Sequence, residues 1–294
     1  MQVQPIDRVK EISPADFRER YLIPARPVII ETLSHQWAAY EKWTWDYFKS
    51  LAGAVDVPVY NNSRAGAKVL VNGGDDTMAF GDYIDMIRQG PSEWRIFLFN
   101  LFKHAPQLKE DFRFPGHLLK GFLRSFPMLF VGGAGSIAHM HYDIDLAHIF
   151  HTQFIGRKRI LLLDNEQSSL IYRMPGTVES AASFVNWQEG LDTEQFPALA
   201  LARGYTAVLE HGDTLFMPSG YWHHMEYLES GCAMSLRAMP ETIAGKLNGL
   251  YHLVGLRNFN NMMIRLRPQW WYQYKRRSAK VTAERTVERL KRRN

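Results

Sequence analysis

The sequence predicts a mainly β fold with helical additions. From residue 129 onward, short runs with the pattern of β-strands are separated by glycine-rich turns. Many short strands of this kind are typical of an antiparallel sandwich or barrel. The predicted strands span residues 129–132, 136–143, 149–155, 159–164, 206–209, 214–218, 221–227 and 233–238. From residue 241 the apolar spacing changes to three and four residues, which predicts helix in the C-terminal part.

The composition excludes several classes of protein. A hydrophobic fraction of 46% in 294 residues is enough for a globular core. No window approaches the ~18–20 consecutive apolar residues of a membrane span, and the N-terminus lacks the pattern of a secretory signal. Cys232 is the only cysteine, so an intrachain disulfide is impossible. We therefore expect a protein of the reducing cytoplasm that does not associate with membranes.

The positive charge is concentrated at the C-terminus. Residues 275–294 contain nine basic and two acidic side chains, a net +7, whereas the whole chain carries +5. The remaining residues are therefore close to neutral, at −2. We expect this basic segment to form a solvated helix, one side of which could pack against a partner subunit. Attraction of its positive charge to nucleic acid is the weaker alternative.

The elements before the strands are predicted from their end signals. Ser13 followed by Pro14 is typical of a helix start, and Thr44 can cap a helix that ends at Gly53. Residues 26–31 read as a strand with proline near its start. Residues 94–102 fit either a strand or a buried helix. We interpret residues 166–202, rich in serine, proline and acids, as an insertion beside the mouth of the site.

Four candidate metal ligands recur at every second position in one predicted strand. They are His139, His141, Asp143 and Asp145. Side chains two residues apart leave the same face of a strand. A later strand supplies His223, and two histidines with one carboxylate form the facial triad of non-heme Fe(II) oxygenases. The favoured triad is His141, Asp143 and His223.

Alternatives remain for each ligand. His139 or Asp145 could replace a neighbour as ligand or support it by hydrogen bonding. His224 follows His223, and alternation directs the two side chains to opposite faces. The histidine and aspartate of the first strand could also be a structural hydrogen-bonded pair; the presence of His223 favours the metal site.

Several separately placed runs carry a family resemblance. They are His141-Tyr-Asp143, Gln153-Phe-Ile-Gly156-Arg-Lys158-Arg159 and Gly212-Asp-Thr-Leu-Phe-Met-Pro-Ser-Gly-Tyr-Trp-His223. Together they resemble the JmjC (cupin-like) 2-oxoglutarate oxygenases, most closely the hydroxylase branch typified by the asparaginyl hydroxylase of hypoxia-inducible factor. The resemblance covers roughly residues 10–240. It implies a double-stranded β-helix (jelly-roll) core with a helical C-terminal extension.

The resemblance also implies roles for individual residues. His141, Asp143 and His223 match the iron ligands, and Lys158 matches the lysine that pairs with the distal carboxylate of 2-oxoglutarate. Phe97 stands where several members have a tyrosine that binds this co-substrate. We expect Arg237 to compensate by gripping a carboxylate. His151 and Ser136 are further candidates for the co-substrate pocket.

These implications define the expected function. The cofactors are Fe(II), 2-oxoglutarate and O₂, and the expected reaction is hydroxylation of an amino-acid side chain in a protein or peptide, with release of succinate and CO₂. Alternatives are hydroxylation of a small metabolite or an RNA base, demethylation of methyl-lysine, and a metal-binding cupin or interaction module without oxygenase activity. We expect a catalytic domain at residues 1–240 and a basic helical extension at 241–294, through which a homodimer could form.

Overall fold

The fold is described by a computed structural model covering residues 1–63, 74–176, 183, 185–187, 192–240 and 242–292. Its strands are β1 Gln2–Pro5, β2 Asp7–Val9, β3 Val28–Ile30, β4 Asp56–Val59, β5 Asp76–Ala79, β6 Arg95–Phe99, β7 Met128–Gly132, β8 Ile137–His141, β9 His148–Ile155, β10 Lys158–Leu163, β11 Arg203–Leu209, β12 Thr214–Met217, β13 Trp222–Tyr227 and β14 Gly231–Ala238. Its α-helices are α1 Pro14–Phe17, α2 Ala38–Lys42, α3 Trp45–Ala52, α4 Phe80–Gln89, α5 Ile243–Leu250, α6 Arg257–Leu266 and α7 Pro268–Lys291.

Two sheets form the centre of the molecule. One has seven strands in the order β2-β3-β12-β9-β14-β7-β6, and the other has five in the order β1-β11-β10-β13-β8. Apolar side chains from both sheets meet in a shared core, which includes Ile149 of β9, Leu215 of β12, Ile160 of β10 and Met225 of β13. Two packed, mostly antiparallel sheets with helical additions confirm the predicted jelly-roll class.

The N-terminal elements cover the outer face of the seven-stranded sheet. Phe17, Tyr21 and Phe48 pack there against Phe150 and Phe216 in one continuous cluster. Both predicted caps form, because the hydroxyl of Ser13 accepts from the amide of Asp16 and the hydroxyl of Thr44 accepts from that of Tyr47. The aromatic run after residue 94 is strand β6 rather than a helix.

The segment after β10 covers the outer face of the five-stranded sheet. Leu170, Ile171 and Phe196 pack against Trp222 of β13 and against Ala279 of α7. The described part of residues 166–202 is therefore a brace between the sheet and the C-terminal helix. Arg173 of this segment also donates to the hydroxyl of Tyr142, which lies between two of the candidate metal ligands. The position beside the mouth of the site stays a prediction.

Two differences from the predicted strands affect the site. Strand β8 ends at His141 instead of continuing to Asp143, so the aspartate lies in the turn that follows. Strands β1 and β2 were not predicted, because they are short, mostly exposed and held by parallel pairing to β11 and β3. Among the described residues, no helix has both the length and the apolar character to cross a membrane.

Candidate metal centre

Two neighbouring strands bring two histidines together. His141 at the end of β8 and His223 in β13 are directly paired across the antiparallel ladder, and their ring centroids lie 4.1 Å apart. The turn after β8 returns Asp143 to the same point. One ligand atom from each of the three residues lies within 4.8 Å of the others. The structure thus gathers the predicted donors, although the aspartate reaches them from a turn and not by strand alternation.

Backbone hydrogen bonds orient both imidazoles. Nδ1 of His141 lies 2.6 Å from the carbonyl oxygen of His139, and Nδ1 of His223 lies 3.2 Å from that of Tyr221. A carbonyl oxygen only accepts, so each Nδ1 carries the proton and donates it. Each Nε2 then keeps its lone pair for a metal ion, an arrangement common among metal-binding histidines.

The electrostatics of the three donors suit a cation. Burial lowers the pKa of His141, and burial together with the neighbouring His141 lowers that of His223 to about 4. Burial alone would raise the pKa of Asp143, but the charge of Arg237 and the two histidines overrides it, and the pKa falls to about 2. At neutral pH the site therefore offers two neutral imidazoles and one carboxylate, the protonation states that metal binding requires.

Arg237 of β14 joins two carboxylates. Its Nε and Nη2 donate to the two carboxylate oxygens of Asp145 at 2.8 and 2.6 Å, and Nη2 lies 3.2 Å from Asp143. Such a bidentate pair fixes the orientation of both groups. These contacts favour a role in holding the carboxylate of Asp143 in place. The expectation that Arg237 grips 2-oxoglutarate stays a prediction.

A cavity of about 500 Å³ lies in front of the three donors. Its wall is mainly apolar and includes Phe97, Met128, Phe130, Met217 and Met225. The polar and charged residues in this wall are Arg95, His139, Tyr142, Asp145, His151, Lys158, Tyr227, Ser235, Arg237 and Arg257, together with the three donors. An apolar cavity with a few convergent polar groups is the common form of a small-molecule site.

Lys158 is a buried cation in this wall. Only 1% of its surface is exposed, and Nζ lies 3.1 Å from Nε2 of His151 and 4.2 Å from the ring centroid of Tyr227. No carboxylate forms an ion pair with it in the described part of the chain. Burial lowers its pKa to about 7. A buried ammonium group without an acidic partner is unfavourable, and it fits a ligand that brings a carboxylate.

Other predicted residues take different positions. His151 lines the cavity, and its Nδ1 lies 2.8 Å from Oγ of Ser235. Ser136 is fully buried beside Gly132 and is not part of the cavity wall, because it precedes β8 in a turn. His139 lies in the wall, but its Nε2 is 2.9 Å from the carbonyl oxygen of Asn62. His224 lies outside the group of three donors.

Three contributors to the site were not predicted from the sequence. Arg95 and Tyr227 line the cavity, and Asn62 holds β8 by accepting from the amide of Ile137 and donating to the carbonyl of Gly135. The sequence signal for Arg95 was an arginine next to the apolar run that forms β6. No local pattern distinguishes the other two, because their roles depend on contacts far along the chain.

The donor set fits iron and the buried ammonium fits a dicarboxylate. Two imidazoles and one carboxylate suit Fe(II) with open coordination positions. Fold and site thus define a cupin of the JmjC type, a class whose members use Fe(II), 2-oxoglutarate and O₂. Residues 14–240 match the family described as "Cupin-like domain", and the chain belongs to this family.

The chain is similar to proteins named as demethylases. It is 29% identical over 232 residues to "Lysine-specific demethylase 8" of Danio rerio, covering 74% of this chain and 54% of that protein. The protein of the same name from Xenopus tropicalis is 26% identical over 224 residues, covering 74% and 49%. "Arginine-specific demethylase JMJ20" of Arabidopsis thaliana is 25% identical over 263 residues, covering 76% and 54%. The chain spans about half the length of these relatives.

Proposed function

We propose that the protein is an Fe(II)- and 2-oxoglutarate-dependent oxygenase that hydroxylates an amino-acid side chain in a protein or peptide. One observation carries the proposal: a triad of metal donors and a buried lysine without an acidic partner share the same cavity. The triad alone would also suit a cupin that only binds a metal ion, and the lysine alone would suit any small anion. Together they match the two ends of 2-oxoglutarate, one bound at a metal and the other paired with a cation.

Each residue of the site has a distinct role in this proposal. His141, Asp143 and His223 hold the iron, and Arg237 with Asp145 fixes the carboxylate of Asp143. When bound, Fe(II) and 2-oxoglutarate activate O₂ to insert one oxygen atom into a C–H bond, with release of succinate and CO₂.

The co-substrate pocket is held by a second set of residues. Lys158 pairs with the distal carboxylate of 2-oxoglutarate, and His151 orients Lys158 through the contact at 3.1 Å. The apolar wall around Phe97 and Phe130 excludes water, which strengthens the ionic contact.

Two measurements test the proposal. Anaerobic addition of 2-oxoglutarate to the Fe(II)-loaded protein should produce the visible absorption of the bound complex, and addition of O₂ should produce succinate. His223→Ala should abolish both signals. A wild-type protein that binds the metal but gives neither signal would support a metal-binding cupin without oxygenase activity.

The relatives' names favour a second outcome of the same chemistry. They are named lysine- or arginine-specific demethylases. Hydroxylation of an N-methyl carbon releases formaldehyde, whereas hydroxylation elsewhere leaves a stable product 16 Da heavier. Mass spectrometry of candidate proteins and peptides after incubation, with a formaldehyde assay in parallel, separates demethylation from stable hydroxylation.

The C-terminal extension is proposed to join two copies of the chain. Along α5, α6 and the helical turns between them, apolar side chains stay exposed, including Leu247, Leu250, Val254 and Leu266. Exposed apolar patches often mark interaction surfaces. The basic residues of α7 are the feature that would favour nucleic acid, which remains the weaker alternative.

A further inference from the structure

A second buried cation lines the cavity. Arg95 in β6 is 7% exposed, and its Nη1 donates to the carbonyl oxygen of Asn61 at 2.6 Å. Its guanidinium group lies 5.6 Å from the ring centroid of Phe97. In the part of the chain that the structure describes, no carboxylate forms an ion pair with it. Arginine retains its charge even when buried, so this group cannot escape by losing a proton.

The other buried charges of the cavity have partners or receive them from the ligands of the proposed function. Asp145 and Asp143 pair with Arg237. The charge of one divalent iron cancels that of one dianionic co-substrate. The charges of the two aspartates cancel those of Arg237 and Lys158. The charge of Arg95 remains. Arg257 also lines the cavity, but it is half-buried and therefore screened by solvent.

Arg95 and Lys158 enter the cavity wall from different sheets. Arg95 stands on β6, at the edge of the seven-stranded sheet, and its Nη1 is held by the carbonyl oxygen of Asn61. Lys158 stands on β10 of the five-stranded sheet, and its Nζ lies beside Nε2 of His151. With the distal carboxylate of 2-oxoglutarate assigned to Lys158, the guanidinium group of Arg95 is available to a second anion.

We propose that Arg95 forms a subsite for a carboxylate of the primary substrate, supplied by an acidic side chain of a polypeptide. This rests on the proposed function, since it concerns the molecule that the iron and 2-oxoglutarate act upon. A planar guanidinium group with free N–H donors binds a carboxylate at two points and orients it. Fixing the anion would place the neighbouring carbon atoms of the substrate beside the metal donors.

The subsite also discriminates against cationic substrates. A buried guanidinium group without an ion-pair partner among the described residues repels a methylated lysine or arginine side chain. The structure therefore favours hydroxylation at or beside an acidic residue over removal of an N-methyl group.

Binding of two matched probes tests this subsite. We would load the full chain with Mn(II) and the inert co-substrate analogue N-oxalylglycine, and titrate it with N-acetyl-aspartate N-methylamide or with the neutral asparagine equivalent, followed by ligand-observed NMR. The wild type should bind the aspartate probe at least fivefold more tightly. Arg95→Gln should abolish this preference and change N-oxalylglycine affinity by less than twofold.

Control variants keep the outcome decisive. Arg157→Gln, which removes an exposed arginine paired with Glu229, should keep the preference. Arg95→Lys keeps the positive charge and should retain part of the preference for the aspartate probe. This variant replaces Arg95→Gln in the test if Arg95→Gln does not fold. Propanoate, titrated in parallel, shows whether a free acid also binds; the same dependence on Arg95 would support the subsite and broaden its ligands to small acids.

Two results would overturn the proposal. One is equal binding of the two probes by the wild type, or a preference that survives Arg95→Gln. The other is a loss of N-oxalylglycine affinity in Arg95→Gln as large as in Lys158→Met, which would assign Arg95 to the co-substrate. If N-oxalylglycine fails to bind even the wild type, the proposed function fails. In that case the preference of the ligand-free protein for the aspartate probe, and its loss or survival in Arg95→Gln, decide whether Arg95 forms a subsite.

Discussion

The ammonium group of Lys158 lies 3.1 Å from Nε2 of His151, inside a cavity that also holds three metal donors. Burial and the neighbouring Lys158 keep the pKa of His151 well below its usual range, so the ring is neutral. Nε2 therefore accepts from the ammonium group while Nδ1 donates to Oγ of Ser235 at 2.8 Å. This chain of contacts holds the ammonium group in place for a carboxylate.

Replacement of Lys158 should separate co-substrate binding from stability. Because a hydrogen bond to a charged group contributes about 1.5–3 kcal/mol, Lys158→Met should weaken 2-oxoglutarate binding by roughly 10- to 150-fold. The ligand-free variant should be at least as stable as the wild type, since it no longer buries a cation. Calorimetric titration and thermal unfolding measure the two effects. Arg159→Met, which removes an exposed neighbour paired with Glu226, is the matched control and should leave the affinity unchanged.

The stability of the ligand-free protein should depend on pH through Lys158. Its pKa of about 7 in the folded protein lies below the ~10.4 of an unfolded lysine. Between these values the unfolded chain binds more protons, so the free energy of unfolding rises with pH. We expect the wild type to gain roughly 2 kcal/mol relative to Lys158→Met between pH 7 and pH 9. Denaturant unfolding at several pH values measures the free energy of unfolding of both proteins. If this free energy changes equally with pH in the wild type and in Lys158→Met, the burial assigned to Lys158 is contradicted.

Binding of 2-oxoglutarate should weaken in the same pH range. The co-substrate pairs with the protonated ammonium group, which loses its proton above a pKa of about 7 in the ligand-free protein. The affinity should therefore fall by up to about tenfold for each pH unit above 7. In Lys158→Met this dependence should be absent, and a steep decrease that persists in the variant would point to another group.

Adjacent histidines provide a test of the metal site. His223→Ala should weaken Mn(II) binding by more than the ~10- to 100-fold that the loss of an outer contact costs, because it removes a direct ligand. His224→Ala should preserve binding, since this side chain lies outside the group of donors. Electron paramagnetic resonance of added Mn(II) measures the bound fraction. Comparable losses in the two variants would argue against His223 as a specific ligand.

The Arg237–Asp145 pair should support the metal without touching it. Asp145→Asn weakens the bidentate contact that fixes the guanidinium group beside Asp143. Loss of such an outer contact typically costs about 10- to 100-fold in metal affinity. Because both residues act through one contact, Arg237→Gln combined with Asp145→Asn should cost less than the sum of the single changes. Strict additivity would show that the residues act independently.

The oligomeric state tests the C-terminal extension. If two copies pair through the exposed apolar side chains of the extension, Leu250→Glu with Leu266→Glu should convert a dimer into a monomer in light scattering. Ile23→Glu, which places the same charge on an exposed apolar residue elsewhere, should have no effect. A monomeric wild type would exclude the pairing.

Much of the fold followed from local periodicity. Each strand predicted after residue 129 has a counterpart in the structure, because short runs bounded by glycine-rich turns are typical of strands packed between layers. The two-residue spacing of the candidate ligands identified His141 as a residue to examine, and the family resemblance identified His223 and Lys158. The distinction between His223 and His224 also came from alternation, since neighbours in a strand point to opposite faces.

Only the tertiary structure decided how the charges of the site are arranged. Asp143 reaches the two histidines from a turn. Arg237 pairs with Asp145, which lies 92 residues away in the sequence. Arg95 enters the cavity wall from β6, at the edge of the seven-stranded sheet. The described part of residues 166–202 packs against the C-terminal helix, and its Arg173 donates to Tyr142 in the cavity wall. The physical reason is the same in each case. Local periodicity specifies which face of an element is buried, whereas the partner of a buried charge depends on which distant segments the sheets bring together.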